Sequence, residues 1–231
     1  MLMVGSLAGL VGSVRAGREG GFHDDFISLE NWEPLTFPMI RHSGYRIVKQ
    51  SGGTVLRAES SDSASGLVST NAFSPYEYPV LRWRWRIENV YDKGDAASRE
   101  GDDFPLRVYV LFPYNPDESN LRTRIRFNAL RAAYGRYPPV ASLCYIWANR
   151  PHKARIIDNP VNERTKFIVL RTGEEDAGRW LIEEVNVVND YRAAFGTEPR
   201  RDATLGIMND SDNTGETSVS FLDFIELRRE R

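Results

Sequence analysis

The stretch "LRWRWRI" (residues 81–87) alternates apolar and charged residues without a break. Successive side chains of a β-strand point to opposite faces of the sheet, so a period of two predicts a strand. We expect the apolar face in the core, whereas the basic face is solvated, paired with carboxylates, or reserved for an anion. Arginines about 7 Å apart on one face repel one another unless their charge is neutralised or solvated. The two faces carry Leu81, Trp83, Trp85 and Ile87, and Arg82, Arg84 and Arg86, respectively.

Similar short runs recur along the chain, separated by clusters of Gly, Asp, Asn, Ser and Pro that favour turns. Strands at this spacing predict an all-β fold, a two-sheet antiparallel β-sandwich of the jelly-roll, galactose-binding or concanavalin-like type. The predicted strands are 45–50, 54–60, 65–70, 80–88, 106–112, 142–148, 165–173, 179–188, 204–210 and 218–228.

Two short helices interrupt the predicted strands. One spans 117–135 and has no acidic residue after Glu118, so its basic face is either solvated or a lid that adds positive charge to a nearby cleft. The other has Asn189 or Asp190 as its N-cap and ends at Gly196. The arginines of the first helix are Arg122, Arg124, Arg126 and Arg131.

The composition limits the domain organisation and the class of protein. A chain of 231 residues with 41% hydrophobic residues is enough for one sandwich domain, which we place at residues 21–231. A net charge of −2 argues against a general nucleic-acid binder, and a single cysteine excludes an intrachain disulfide. Residues 1–20 read as a signal peptide or a disordered segment, and no other stretch could span a membrane. Export to the periplasm or the extracellular space is therefore expected, and the oligomeric state is left open.

No catalytic motif stands out. HExxH, GxSxG, GxxxxGK[ST] and GxGxxG are all absent, and His23, His42 and His152 have no metal-ligand spacing. Catalytic residues are therefore left unassigned, and a polysaccharide hydrolase or lyase stays an alternative.

Two acidic loops offer oxygen ligands. "GDDFP" contains Asp102 and Asp103, and "NDSDNTG" contains Asp210 and Asp212. Clusters of carboxylates and amides suit Ca²⁺, although a turn rich in side-chain hydrogen bonds explains the second loop equally well. An EF-hand is excluded because its twelfth position, where a Glu is required, is Phe221.

The non-core faces of the predicted strands collect polar and aromatic residues that could bind a sugar. Aromatic rings stack on sugar rings, and Arg, Glu and Asn bond sugar hydroxyls; cross-strand Arg–Glu pairs on a closed surface are the alternative. Aligned guanidinium groups that are only partly neutralised would favour a carboxylated or sulfated sugar. The candidate ligand-binding residues are Arg84, Arg86, Asp102, Asp103, Arg107, Tyr109, Tyr145, Trp147, Glu184 and Asn186, with Arg82 beside them.

Several motifs in order resemble a bacterial family known as domain of unknown function 3047. They are "LRWRWRI", "GDDFPLRVYVLF", "YIWA", "NVVNDYRAAFG" and "GIMNDSDNTGETSVSFLDFI", and the likeness extends from "DDFISLENW" to the C-terminus. The resemblance implies an exported bacterial protein and no established activity.

The last predicted strand is also similar to that of jelly-roll carbohydrate-binding modules. "FLDFIEL" keeps Phe221, Asp223, Ile225 and Leu227, while Phe224 stands where these modules have a second acid. The resemblance implies a structural Ca²⁺ held by Asp223, here with Asp24 or Asp25; otherwise no cofactor is expected. The expected function is glycan binding, to an acidic or neutral polysaccharide, with a structural or envelope-interaction protein as a further alternative.

Overall fold

The computed structural model describes residues 21–50, 52–134 and 137–230. The predicted signal peptide or disordered segment, 1–20, lies outside the described residues. The described chain is mostly strand, with two helices, as the all-β prediction required. The strands are β1 His23–Asp24, β2 Trp32–Thr36, β3 Gly44–Gln50, β4 Gly53–Ser61, β5 Ala64–Phe73, β6 Val80–Ile87, β7 Arg107–Phe112, β8 Ala141–Ala148, β9 Ile156–Asp158, β10 Thr165–Thr172, β11 Leu181–Asn186, β12 Ala203–Asp210 and β13 Thr217–Arg228; the helices are α1 Leu121–Tyr134 and α2 Val187–Phe195, and Pro116–Glu118 forms a 3-10 turn.

Two sheets form the sandwich. The front sheet has the strand order β11-β6-β13-β4-β3, with β1 paired to β13, and the back sheet has the order β2-β5-β12-β7-β8-β10-β9. Among the described strands every pairing is antiparallel except that of β8 with β10. The predicted antiparallel sandwich is therefore confirmed, with one parallel pair in the back sheet.

The stretch that predicted the fold is β6, which lies between β11 and β13 in the front sheet. Trp83 and Trp85 are both 0% exposed, as the alternation required. Their rings contact β8 of the back sheet, with ring centroids 5.4 Å apart for Trp83 and Tyr145 and 5.8 Å apart for Trp85 and Trp147. These four aromatic side chains are part of the core between the sheets.

The back sheet is covered on its outer face as well. The connection between β6 and β7 folds over it and buries Ala96 and Phe104 against Cys144 and Phe167. Strand β8 therefore has buried side chains on both faces. An alternation that distinguishes core from surface on β6 has no such meaning on β8.

The two ends of the sandwich differ. The β4–β5, β6–β7 and β12–β13 connections meet at one end, here called the loop end, where Ser61 pairs with Thr217 and Asp210 with Ala64. Helices α1 and α2 lie at the opposite end, here called the helix end, because α1 belongs to the connection between β7 and β8 and α2 starts directly after the last residue of β11. No helix of the described chain is long and apolar enough to span a bilayer.

Helix α2 begins three residues earlier than predicted. The side chain of Asn186 accepts a hydrogen bond from the backbone N–H of Asn189 at 3.0 Å, so Asn186 is the N-cap. Gly196 ends the helix in the left-handed conformation, as predicted. The predicted N-caps Asn189 and Asp190 were wrong. Val187 and Val188 are buried and continue the apolar pattern of the strand, so the sequence pattern assigned them to the strand and not to the first turn of the helix. Helix α1, in contrast, begins at Leu121, later than the predicted start at 117, because the residues at 116–118 form the 3-10 turn.

Candidate functional site

The three arginines of β6 lie on the outer face of the front sheet, and each one makes an ion pair. The carboxylates come from β13 and from the residue that follows β6, brought within reach by strand register. The pairs are Arg82 with Glu226 at 2.7 Å, Arg84 with Asp223 at 2.9 Å and Arg86 with Glu88 at 2.9 Å. The pairing predicted as the alternative to an anion site is thus present, and each arginine of β6 has a carboxylate partner.

Aromatic rings lie beneath the same guanidinium groups. The guanidinium of Arg86 lies 4.4 Å from the ring centroid of Phe221 and 5.2 Å from that of Trp180. Arg84 lies over Trp180 at 4.9 Å, and Arg82 lies over a ring of β13 at 5.0 Å. Cation–π contacts of this kind hold the arginine planes against the sheet.

Arginines also line up across the strands. Arg46 of β3, Arg57 of β4, Phe221 of β13 and Arg86 of β6 are register partners in succession. Glu59 of β4 pairs with Arg57 and lies 3.2 Å from Arg46. The signal for this row was present in "LRAES", in which Arg57 and Glu59 share one face, but the sequence does not show that it adjoins β6.

An open depression of about 590 Å³ lies where this row meets the loop end. Its charged side chains are two arginines and two glutamates, so it has no net charge. Phe221 forms its floor, 4% exposed beneath Arg57 and Arg86. The lining residues are Arg57, Glu59, Ser60, Ser61, Arg86, Glu88, Asn89, Thr217, Ser218, Val219 and Phe221.

The prediction that places two of the aromatic candidates on an open surface is wrong. Tyr145 and Trp147 are 0% exposed, because they face the sandwich core and not an open sheet surface. Trp147 donates from its indole nitrogen to the backbone carbonyl of Gly173 at 2.8 Å. Tyr109 is half-buried on the other face of the back sheet, with its hydroxyl 3.9 Å from the sulfur of Met208. No stacking platform is formed by these three rings.

The β11 candidates occupy different positions. Glu184 is exposed on the front face, 3.8 Å from the guanidinium of Arg82. Asn186 is the N-cap of α2, which accounts for its side chain without a ligand. The neighbouring Glu183, on the other face of β11, is buried and accepts hydrogen bonds from Trp85 at 3.1 Å and from Arg171 at 2.8 Å.

The remaining candidates form a separate, buried network at the loop end of the back sheet. Arg107 is 3% exposed, and its Nε donates to Asp210 at 3.0 Å. Its terminal nitrogens donate to the Asp102 carboxylate at 2.9 Å and to the Asp102 carbonyl at 2.8 Å. Asp102, Asp103 and Arg107 therefore do not join Arg84 and Arg86 in one surface, since they belong to the opposite sheet.

Asp103 joins the two acidic loops. It is 0% exposed and accepts hydrogen bonds from the backbone N–H groups of Asn213 and Thr214, at 3.0 and 2.6 Å. Ligand oxygens of Asp103, Asp210 and Asp212 lie within 4.8 Å of one another. Burial, together with the charge of Asp103, raises the pKa of Asp212. The two loops predicted as alternative oxygen sites thus come together.

The predicted metal set of Asp24, Asp25 and Asp223 is not brought together. Asp24 is buried and accepts hydrogen bonds from the indole nitrogen of Trp32 at 2.9 Å and the backbone N–H of Phe26 at 2.8 Å. Asp223 is engaged by an arginine of β6 on the outer face. The likeness to the last strand of carbohydrate-binding modules did not predict these partners, which come from other parts of the chain. Calcium stays a prediction, with the Asp103–Asp210–Asp212 group as the better-placed oxygen cluster.

Fold and surface together define the class: a two-sheet β-sandwich with an arginine–carboxylate face and a buried acidic network. A family model described as "Protein of unknown function (DUF3047)" matches residues 30–226, and the chain belongs to that family. No curated protein matches the chain.

Several solved structures are similar in fold. A family 11 carbohydrate-binding module from Clostridium thermocellum, in complex with a β-1,3-1,4-mixed-linked tetrasaccharide, is 9% identical with a TM-score of 0.43, covering 91% of this chain and 95% of that chain. A lectin from Bauhinia forficata in complex with GalNAc is 11% identical with a TM-score of 0.44, covering 91% and 98%. Endoglucanase 3 of Trichoderma harzianum, from family GH12, is 7% identical with a TM-score of 0.41, covering 93% and 100%.

Proposed function

We propose that this protein is a glycan-binding module and that the depression on the front sheet is its binding site. The observation that carries the proposal is the lining itself: guanidinium, carboxylate, amide and hydroxyl groups over the buried ring of Phe221. Sugars present several hydroxyls that each donate and accept, so a site with both kinds of group on one wall matches them. The volume of about 590 Å³ is in the range of small-molecule sites.

The balance of charge favours a neutral polysaccharide over an acidic one. Arg57 and Arg86 are matched by Glu59 and Glu88 in the same depression. A carboxylated sugar would have to displace one of these glutamates from its arginine, whereas a hydroxyl bonds either partner without breaking the pair. The guanidinium planes held over Phe221 offer the flat surface that Tyr145 and Trp147 do not.

Binding fits this geometry better than hydrolysis. A glycosidase needs two carboxyl groups free to act on the scissile bond. The glutamates of the depression, Glu59 and Glu88, are each held by an arginine.

Export of the protein is also part of the proposal. It rests on the apolar start of the sequence, and cell fractionation of the tagged full chain tests it.

A glycan array followed by titration calorimetry tests the proposal. Arg86→Met keeps the aliphatic packing over Phe221 but removes the donors, and we expect about a tenfold loss of affinity for the glycan selected on the array. Arg82→Met is the matched control, because it lies on the same face of the same strand outside the depression. Melting curves of both variants establish that they are folded. Absence of any neutral glycan on the array, or equal affinities for both variants, would contradict the proposal.

A further inference from the structure

Helix α1 has apolar residues on two opposite sides. Phe127 faces inward, 4% exposed, with its ring stacked on Tyr114 at a centroid distance of 4.0 Å. Leu121 and Ile125, in contrast, are 71% and 62% exposed. Because they are four residues apart, these two large aliphatic side chains are neighbours on one face of the helix.

The exposed apolar residues form one strip along the outer side of α1. At 3.6 residues per turn, Leu121, Ile125, Ala129 and Ala132 share one side of the helix, and Phe127 lies on the opposite side. All four residues of the strip are exposed. The strip therefore lies on the side of α1 opposite its packed side, and neither sheet covers it.

Arginines flank the strip on both sides. The same helical geometry places Arg122 and Arg126 along one edge and Arg124 and Arg131 along the other, and the helix contains no acidic residue. Arg126 pairs with Glu163 at 2.9 Å, with side chains 59% and 79% exposed. Within the part of the chain that the structure describes, Arg122 and Arg124 make no ion pair.

The strip lies far from the proposed glycan site along the strands. Strand β7 starts at the loop end, where Arg107 pairs with Met208, and ends at Phe112, just before the segment that contains α1. The depression lies at the loop end, beside Ser61 and Thr217. A partner on α1 would leave the depression open.

We propose that α1 binds the surface of an anionic lipid bilayer, lying in the headgroup region. The apolar strip would enter the interface, and the flanking arginines would reach anionic headgroups while their aliphatic stems lie along the apolar residues. Four basic residues with no acid on the helix supply the charge complementarity, and arginines on both edges match a flat surface charged on either side of the strip. An acidic protein or a nucleic acid is the other kind of partner, which the test below separates.

Vesicle co-sedimentation of the full chain tests the proposal. We expect binding to vesicles that contain phosphatidylglycerol, weak binding to pure phosphatidylcholine, and a loss with added salt. The double variant Arg122→Gln/Arg124→Gln should weaken binding by about twentyfold or more, because each arginine near an anionic surface contributes about fivefold. Leu121→Asn/Ile125→Asn should weaken it as well, since insertion needs the strip.

Matched substitutions elsewhere control for general effects. Arg179→Gln removes an arginine whose side chain is 71% exposed, and Ile182→Asn removes an isoleucine that is 47% exposed, both away from α1. These variants should bind vesicles like the wild type. Equal binding by the α1 variants and the controls, or equal binding to both kinds of vesicle, would overturn the proposal.

A second measurement reports the surroundings of the helix directly. Cys144 is buried, so a cysteine introduced as Ile125→Cys can be labelled selectively with an environment-sensitive dye. Its emission should shift to the blue with phosphatidylglycerol vesicles and stay unchanged with soluble polyanions such as heparin or DNA. The same label at Ile182→Cys should not respond. A shift with polyanions alone would assign the helix to a nucleic acid or an acidic protein instead.

Discussion

Arg107 Nε lies 3.0 Å from Asp210 Oδ1, and the two side chains are only 4% and 2% exposed. Asp102 binds the other side of the same guanidinium. A buried ion pair is costly to break, because removing one partner leaves the other charge without compensation in a medium of low polarity. Burial also raises the pKa of Asp102.

We therefore expect Arg107→Met to destabilise the protein by about 3–5 kcal/mol, measured by urea unfolding. The control is Arg84→Met, whose ion pair with Asp223 lies at the surface with the arginine side chain 39% exposed. Exposed pairs contribute below about 1 kcal/mol, so this variant should stay close to the wild type. Similar losses of unfolding free energy in both variants would show that burial does not make the Arg107 ion pairs more important for stability than the exposed pair of Arg84.

Glu183 and Glu184 are neighbours on β11 that offer a second comparison. Glu183 is 8% exposed and accepts the indole N–H of Trp85 in the core, whereas the Glu184 side chain is 58% exposed. Glu183→Ala should cost about 1–3 kcal/mol, because Trp85 and Arg171 lose their acceptor. Glu184→Ala should change the free energy of unfolding by less than about 0.5 kcal/mol. Chemical denaturation measures both, and equal effects would contradict the assignment of the two faces.

The third prediction concerns acid stability. Burial raises the pKa of Glu226, but hydrogen bonds from Arg82 and Arg228 outweigh that effect and leave the pKa below its ordinary value of 4.5. A lowered folded-state pKa contributes stability above the unfolded value, and this contribution is lost as the pH falls through the lowered pKa. The wild type should exceed Glu226→Gln in unfolding free energy at neutral pH, and the gap should shrink in acid below 4.5. A gap that is constant with pH would assign the effect to packing.

Calcium is the fourth prediction, and its site is the group of Asp103, Asp210 and Asp212. Among the described residues Arg107 pairs with Asp102 and Asp210 only, so a divalent cation would offset the negative charge that Arg107 leaves uncompensated in this group. Excess Ca²⁺ should raise the melting temperature of the wild type by mass action, and not that of Asp212→Asn. Mg²⁺ at the same ionic strength is the control. A melting temperature that responds to neither calcium nor chelator would contradict the prediction that calcium binds to this group.

The local patterns were most informative where one face of a strand is solvated. The alternation in β6 placed Trp83 and Trp85 in the core correctly, because side-chain direction in a strand depends only on position along it. The same rule failed for Tyr145 and Trp147, since β8 lies inside the back sheet and is covered on both faces. Nothing in the eight residues of β8 records that the β6–β7 connection folds over them.

By itself, the sequence determined that this chain is an all-β sandwich and that the arginines of β6 share one face, because strand period and turn residues act locally. Only the tertiary structure decided which carboxylates pair with those arginines. Arg84 meets Asp223 across 139 positions of sequence and Arg82 meets Glu226 across 144, and Arg107 meets Asp210 across 103. Such partners depend on strand order and register, which are set by how all the apolar faces pack together.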